Sequence, residues 1–197
     1  SYMFYNSKSL KNIDVSGFDT SKVISMYEMF RGCSSLANID VSSFNTGAVT
    51  DMQRMFCNCF LLINLNLSNF DTSKVVNMYE MFFGCNSLTN LDITNFNTSN
   101  LVNMSEMFFD CSSLISLDLS SFNTSNVTNM ANMFYNSGSL RKIYVSNSWN
   151  VSNVKSSGIM FTFCTSLVGA VPFDSSKTDV SMANCSNGYL TYKENTN

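Results

Sequence analysis

The sequence of 197 residues contains no histidine, and this absence excludes a large class of chemistry. Histidine is the commonest general base and the commonest metal ligand, so histidine-dependent serine or cysteine hydrolases and histidine-ligated zinc enzymes are excluded. Charged residues are also scarce, at 13% of the chain, with 11 Lys and Arg against 14 Asp and Glu. Because no basic stripe is present, we expect no nucleic-acid binding.

Long apolar runs are missing as well. The longest purely apolar stretch covers residues 60–63, far below the roughly 18 to 20 residues that span a bilayer. We therefore predict no membrane insertion of this chain. What the sequence does contain is 45% hydrophobic residues, which is enough for a sizeable core in a chain of about one domain's length.

Met-Phe pairs recur at a nearly constant interval and define a repeat. They start at positions 3, 29, 55, 81, 107, 133 and 160, so the step is 26 residues five times and then 27. Self-similarity at such a period is typical of stacked supersecondary units. We predict an array of about seven repeats over residues 1–173, the first incomplete and the last degenerate, followed by a C-terminal cap or tail at 174–197. Because Ser1 begins within a unit, we also expect further repeats upstream of it.

Each unit has two apolar patterns. Ile13 and Val15 alternate as in a strand, which predicts a short parallel strand at about residues 12–16. Val23, Met26, Met29 and Phe30 follow at the spacing of one helical face, which predicts a short helix. The fold class expected is therefore an α/β repeat solenoid: a leucine-rich-repeat-like stack with a parallel β-sheet on one face and short helices on the other. Because a helix is broader than a strand, we expect the sheet to be concave.

The candidate binding residues are those that point outward from the predicted strands. They form two neighbouring columns and a C-terminal group: Asp14, Asp40, Asn66, Asp92, Asp118 and Tyr144; Asn38, Asn64 and Asn90; and Lys142 with Trp149. Such carboxylates, amides and aromatic rings suit a glycan or a protein partner. The alternative is that these residues only keep the sheet soluble, since nearly the same residues occur in every unit.

Two further columns have alternative interpretations. Cys33, Cys59, Cys85, Cys111 and Cys164 are close enough in a stack for disulfides, but Ser7 and Ser137 stand in the same column, which favours buried, reduced thiols that act as small apolar spacers. The column Thr20, Thr46, Thr72, Thr98 and Thr124 is either an exposed row of hydroxyls or a set of helix N-caps, and we favour N-caps. Neither a zinc-type cysteine pair nor a calcium loop is present, so we expect no metal site.

The repeat pattern resembles a known family. Residues 88–108 and 114–134 are similar to the BspA-like leucine-rich-repeat surface protein repeat, whose consensus is L-x-x-L-D-L-S-x-F-[DN]-T-S-x-V-x-x-M-x-x-M-F-x-x-C. The resemblance covers residues 3–167, and the ending at 189–192 is similar to the Gly-Tyr-Phe-Thr ending common in that family. It implies a secreted or surface-attached protein used in adhesion, with no enzymatic activity.

Together these observations predict a non-catalytic extracellular module, secreted or at the cell surface. It would bind a host or cell-surface protein or a glycan through the concave sheet, and it would need no cofactor. Glu28, Glu80 and Glu106 recur, but the sequence does not place an acid–base pair in a pocket, so we do not expect an enzyme. The alternative function is a structural spacer that presents another domain at the cell surface.

Overall fold

The computed structural model describes residues 1–195 as a stack of coils, in which each residue lies beside its equivalent in the next repeat. Strand β1 (Asn38–Ile39) pairs in parallel with β2 (Asn64–Leu65). Strands β3 (Ser116–Leu119), β4 (Lys142–Val145) and β5 (Thr191–Tyr192) form a second parallel sheet in that order. A single bridge between Asn66 and Asp92 lies between the two sheets. These strands form one side of the stack.

A turn held by a side chain lies at or just beyond the end of the strand segment in most coils. In the second coil, the Asp40 carboxylate accepts a hydrogen bond of 2.9 Å from the N–H of Ser42. The same turn recurs at Asp14, Asn66, Asp92 and Asp118. An N–H group that is satisfied locally is lost to the ladder between coils. In the first coil, residues 12–16 form no strand.

The prediction of helices is wrong, and with it the leucine-rich-repeat-like α/β class. Within residues 1–195 the only helical element is one 3₁₀ turn, Val180–Met182. In place of a helix, residues 26–33 make consecutive turns in which the N–H of Met29 donates to the carbonyl of Met26, and that of Cys33 to Phe30. Glu28 and Gly32 have positive φ values of 53° and 74°, a conformation that an α-helix does not contain.

The other backbone donors of these turns bond to the next coil. The N–H groups of Met26, Glu28, Phe30 and Gly32 donate to carbonyls 25 residues further on, at 2.8–3.0 Å. In an α-helix the same donors would bond within the segment, four residues back. This second set of parallel bonds holds the coils together on the side opposite the strands. The expected concavity rested on the width of a helix, so that argument fails with the helix.

The core consists of columns that run the length of the stack. Phe30, Phe56, Phe82, Phe108, Phe134 and Phe161 stack ring on ring, with centroids 5.6–6.1 Å apart and planes within 11° of parallel. Met26 and Met29 lie in the neighbouring columns and are buried. Since consecutive turns direct the same residues inward as a helix would, the apolar spacing predicts burial correctly and backbone conformation wrongly.

The C-terminal segment covers one end of the stack. Tyr189 is fully buried and its ring meets Phe161 edge to face at 5.4 Å. Its hydroxyl accepts from the N–H of Asp174 and lies within hydrogen-bond distance of the carbonyls of Asp174 and Lys177. Strand β5 then adds to β4. Residues 196–197 of the predicted tail lie outside the described residues. No helix within residues 1–195 is long and apolar enough to cross a membrane.

Candidate functional site: the polar face of the strands

The predicted outward-facing residues do share one face. Along β3 and β4, Leu117 and Ile143 are buried, and the next residues, Asp118 and Tyr144, are half-buried on the outer side. In the earlier coils the outward residues are exposed, and they comprise Asp14, Asp40, Asn66, Asp92, Asn38, Asn64 and Asn90. Strand pairing places Asn38 beside Asn64, and Asp118 beside Tyr144, at the roughly 4.8 Å spacing of paired strands.

Two shallow depressions follow this face. The larger, of about 550 Å³, lies among Asn64, Asn90, Asp92 and Asp118. The other, of about 440 Å³, is lined by Asn12, Asn38, Asp40, Asn64 and Asn66, among others. Both have buried apolar residues at their floor and amides or carboxylates at their sides. The face therefore presents hydrogen-bonding groups over an extended surface.

The exposed carboxylates of this face also accept hydrogen bonds that stabilise local turns. One oxygen of Asp14 accepts from Ser16, and one oxygen of Asp40 accepts from Ser42. These hydrogen bonds lower the pKa of both carboxyls, so both are ionised at neutral pH. Because Asn66 makes the same bond to Ser68 at 3.0 Å, the turn requires an acceptor and does not require a charge.

The side chain of Lys193, in the C-terminal tail, reaches the same face, a position that the repeat pattern does not predict. The N–H of Lys193 donates to the Val145 carbonyl at 2.8 Å, and so extends the pairing of β5 with β4. Its ammonium group pairs with Oδ2 of Asp118 and lies 6.0 Å from the centre of the Tyr144 ring. Burial raises the pKa of Asp118, but Lys193 and Ser120 outweigh burial and hold it below its usual value. The only sequence signal was one lysine directly after the last strand.

The predicted C-terminal aromatic group is divided between two places. Tyr144 is on the strand face, and Lys142 is exposed at the start of β4. Trp149 instead packs against the core, and its indole N–H donates to the carbonyl of Ala183 at 3.2 Å. It joins the body of the stack to the C-terminal segment, and it lies outside both depressions.

The threonine column has a role that neither interpretation of the sequence included. Thr72 is 1% exposed, and its hydroxyl donates to the Asn97 carbonyl at 2.9 Å while accepting from the Asn97 N–H at 2.8 Å. Thr46 makes the same two bonds to Asp71. Because these hydroxyls are buried, they form no exposed row, and because no helix follows, they cap none. Each of these threonine hydroxyls links one coil to the next by two hydrogen bonds.

The cysteine column consists of free thiols in the described structure. Cys33, Cys59, Cys85, Cys111 and Cys164 are buried. The Cys85 thiol donates to the Phe56 carbonyl at 3.3 Å, and the Ser137 hydroxyl donates to Phe108 at 2.8 Å from the equivalent position. The column therefore requires a small donor, which explains why serine can replace cysteine. Burial raises the pKa of Cys33 to about 11 and that of Cys164 to about 12, which keeps both thiols protonated.

An ion-pair cluster on the turn side contains two of the recurring glutamates, Glu28 and Glu80. Arg54 lies between Glu28 and Glu80, with nitrogen–oxygen distances of 3.2 and 2.8 Å. Burial raises the pKa of Glu80, but hydrogen bonds from Arg54 and Tyr79 hold it below its usual value. Glu106, one coil further on, has a raised pKa because of burial and the charge of Glu80. Arg54 thus holds two of the three glutamates in ion pairs, whereas no Lys or Arg nitrogen of the described residues lies within 4.0 Å of Glu106.

The carboxylates of the strand face stand in a single row and alternate with the positions of buried side chains. Residues 1–195 contain no group of three or more Cys, Asp or Glu side chains that could hold a metal ion.

Comparison with known proteins identifies a family. A family model described as "Mycoplasma protein of unknown function, DUF285" matches residues 1–64 and 58–172. No curated protein and no solved structure matches the chain. The two matches together cover most of the chain and include every coil with a Met-Phe pair. The chain therefore belongs to the DUF285 family.

Proposed function

We propose that this chain is a non-catalytic recognition module that binds a protein or a glycan through the polar face of its strands. The observation that carries the proposal is the alignment of exposed amides and carboxylates along adjacent coils, above two open depressions. A rigid row of hydrogen-bonding groups at a regular spacing loses little entropy when it binds an extended ligand.

The repeat pattern supports a location outside the cell. The units at residues 88–108 and 114–134 resemble the BspA-like surface protein repeat, and the chain belongs to the DUF285 family, whose function is unknown. We place the protein at the cell surface or in the extracellular space on that resemblance. Binding to a host or cell-surface molecule is the function that such a location favours.

A structural spacer is the second candidate, and one observation favours it. The carboxylates of Asp14, Asp40 and Asp118 accept hydrogen bonds from the N–H two residues on and so stabilise a turn in each coil, so their recurrence has a structural reason that needs no ligand. A spacer would depend on the length of the stack and not on the face of any single coil.

The two functions can be separated with surface variants. A glycan array and a panel of purified extracellular-matrix proteins are probed with the wild-type chain, with Asn64→Arg/Asn90→Arg, and with Val102→Arg. Asn64 and Asn90 are exposed on the strand face, whereas Val102 is 42% exposed on the turn side. We expect loss of binding in the double variant alone. Equal binding by all three chains would exclude the strand face.

A deletion tests the spacer directly. Removing residues 62–87, one 26-residue unit, joins Leu61 to Leu88 and keeps every column in register. A spacer should tolerate this deletion. A recognition face should lose affinity, because Asn64 and Asn66 line both depressions and are removed together.

A further inference from the structure

We propose that the strand face takes up an extended polypeptide through lysine side chains that pair with Asp40 and Asp92. This inference rests on the recognition function proposed above and gives its partner a chemistry. The alternative ligand, a neutral glycan, is one of the outcomes that the experiment below separates.

The chain's own tail provides the first argument. Lys193 follows β5, its backbone N–H pairs with Val145, and its ammonium group sits between the Asp118 carboxylate and the Tyr144 ring. Strand β5 itself continues the sheet beside β4, whereas the Lys193 side chain lies over one end of the face. Its ammonium group makes the two contacts that a lysine of a partner segment would make, an ion pair and a cation–π contact.

Charge complementarity provides the second argument. Asp40 and Asp92 stand in the same outward column as Asp118, and both are exposed. Within residues 1–195 no lysine or arginine nitrogen lies within 4.0 Å of either carboxylate. The column thus has a close ion pair at Asp118 and exposed carboxylates without a close cation at Asp40 and Asp92, although the charge of Lys193 also acts on Asp92 from a greater distance. An ammonium group supplied by a partner would restore the balance, which the hydroxyls of a neutral glycan cannot do.

The sequence itself supplies a conservative variant for the test. Asn66 occupies the same column and forms the same turn as the aspartates, with Oδ1 3.0 Å from the N–H of Ser68. Asp→Asn at positions 40 and 92 should therefore preserve the turn and remove only the charge. Asp71 offers a matched control, because it is exposed and bonds to the N–H of Ser73 at 2.9 Å in a loop outside this column.

The probe is a fluorescein-labelled decapeptide of lysine, with an acetyl-lysine decapeptide as its neutral counterpart. Fluorescence anisotropy at low ionic strength measures binding to the full chain. We expect Asp40→Asn/Asp92→Asn to weaken the binding of oligolysine by about tenfold, from about threefold for each exposed ion pair. Asp71→Asn should change it less than twofold, and the neutral peptide should not bind.

The tail gives a prediction of opposite sign. Lys193→Gln frees Asp118 for the probe, so the affinity for oligolysine should rise by about threefold, again the value of one exposed ion pair. Circular dichroism and the melting temperature check that each variant is folded. An increase in Lys193→Gln together with a loss in the Asp40/Asp92 variant would support the proposal.

Three outcomes would overturn it. The first is that oligolysine binds neither the wild type nor Lys193→Gln. The second is that the Asp40/Asp92 and Asp71 variants bind it equally. The third is that a ligand found in the array experiment depends on Asn64 and Asn90 yet resists competition by oligolysine. The last outcome would leave the recognition function standing and assign it to a different ligand chemistry.

Discussion

Replacement of Thr72 by valine tests the hydrogen-bonded link that the threonine hydroxyl makes between coils. Valine has nearly the same shape as threonine but can neither donate to the Asn97 carbonyl nor accept from the Asn97 N–H, two bonds of 2.9 and 2.8 Å. Since each net hydrogen bond stabilises a protein by about 1 kcal/mol, and unpaired buried groups add to the loss, we expect destabilisation of about 2 to 3 kcal/mol.

The assay is urea unfolding at 25 °C, followed by circular dichroism. With a denaturant slope of about 2 kcal/mol per molar, the loss should lower the unfolding midpoint by roughly 1 M. Thr72→Ser is the matched control, since serine keeps the hydroxyl and removes one buried methyl group, at a cost of about 0.8 kcal/mol. Equal unfolding midpoints for the valine and serine variants would refute the claim that these two hydrogen bonds stabilise the stack.

The remaining predictions concern single columns. Cys85→Ser should be more stable than Cys85→Ala by about 1 kcal/mol, because only serine keeps a donor to the carbonyl that the thiol contacts; thermal unfolding decides this. Met104→Lys should unfold at least its own coil, because it buries a charge at a site that is 0% exposed; unchanged circular dichroism would contradict the column assignment. Glu106→Gln should stabilise the protein at pH 7 and have no effect at pH 4, whereas Glu80→Gln should destabilise it at pH 7 because it loses Arg54; urea midpoints at both pH values test the pair.

The signs of the pH predictions follow from the directions of the pKa shifts. A carboxyl whose folded-state pKa is raised, such as that of Glu106, stabilises the folded protein fully below its unfolded-state pKa of 4.5. This stabilisation is lost as the pH rises through the folded-state pKa. Removing this carboxylate therefore helps only at neutral pH. Glu80 has a lowered pKa, so its stabilising contribution is present above the unfolded value and is lost as pH falls through the folded value. Its removal therefore harms most at neutral pH.

The sequence predicted the buried columns because burial depends on spacing alone. Met26, Met29 and Phe30 point inward whether the backbone is helical or a run of turns, and all three are buried. Backbone conformation depends on where the N–H groups bond. For these residues the partners lie in the next coil, and apolar spacing within one unit carries no information about them.

One signal for the turns was present. The column of Asn6, Gly32, Asn58, Gly84, Asp110, Asn136 and Phe163 has positive φ throughout. All but Phe163 are Gly, Asn or Asp, the residues that adopt this conformation most readily. The second positive-φ column, which includes Glu28 and Arg54, has no such composition. Only tertiary bonding explains it.

The polar face could be predicted in part. Alternation in the strands identified Asp40, Asn64 and Asp92 as outward-facing, and the structure exposes all three. The position of Lys193 on Asp118 could not be predicted, because 75 residues separate the two and the contact depends on how the tail joins β4. Trp149 looked like a binding residue because it is aromatic and near the end of the array, but its neighbours are the core and the C-terminal segment.

The central claim is that each coil is bonded to the next through its turns and not folded on itself as a helix. Scalar couplings across hydrogen bonds, measured by nuclear magnetic resonance on isotope-labelled protein, report the donor and acceptor directly. We predict a coupling from the amide nitrogen of Phe56 to the carbonyl carbon of Met81, whose nitrogen–oxygen distance is 3.0 Å. A coupling from Phe56 to the carbonyl four residues earlier, that of Met52, would contradict the account.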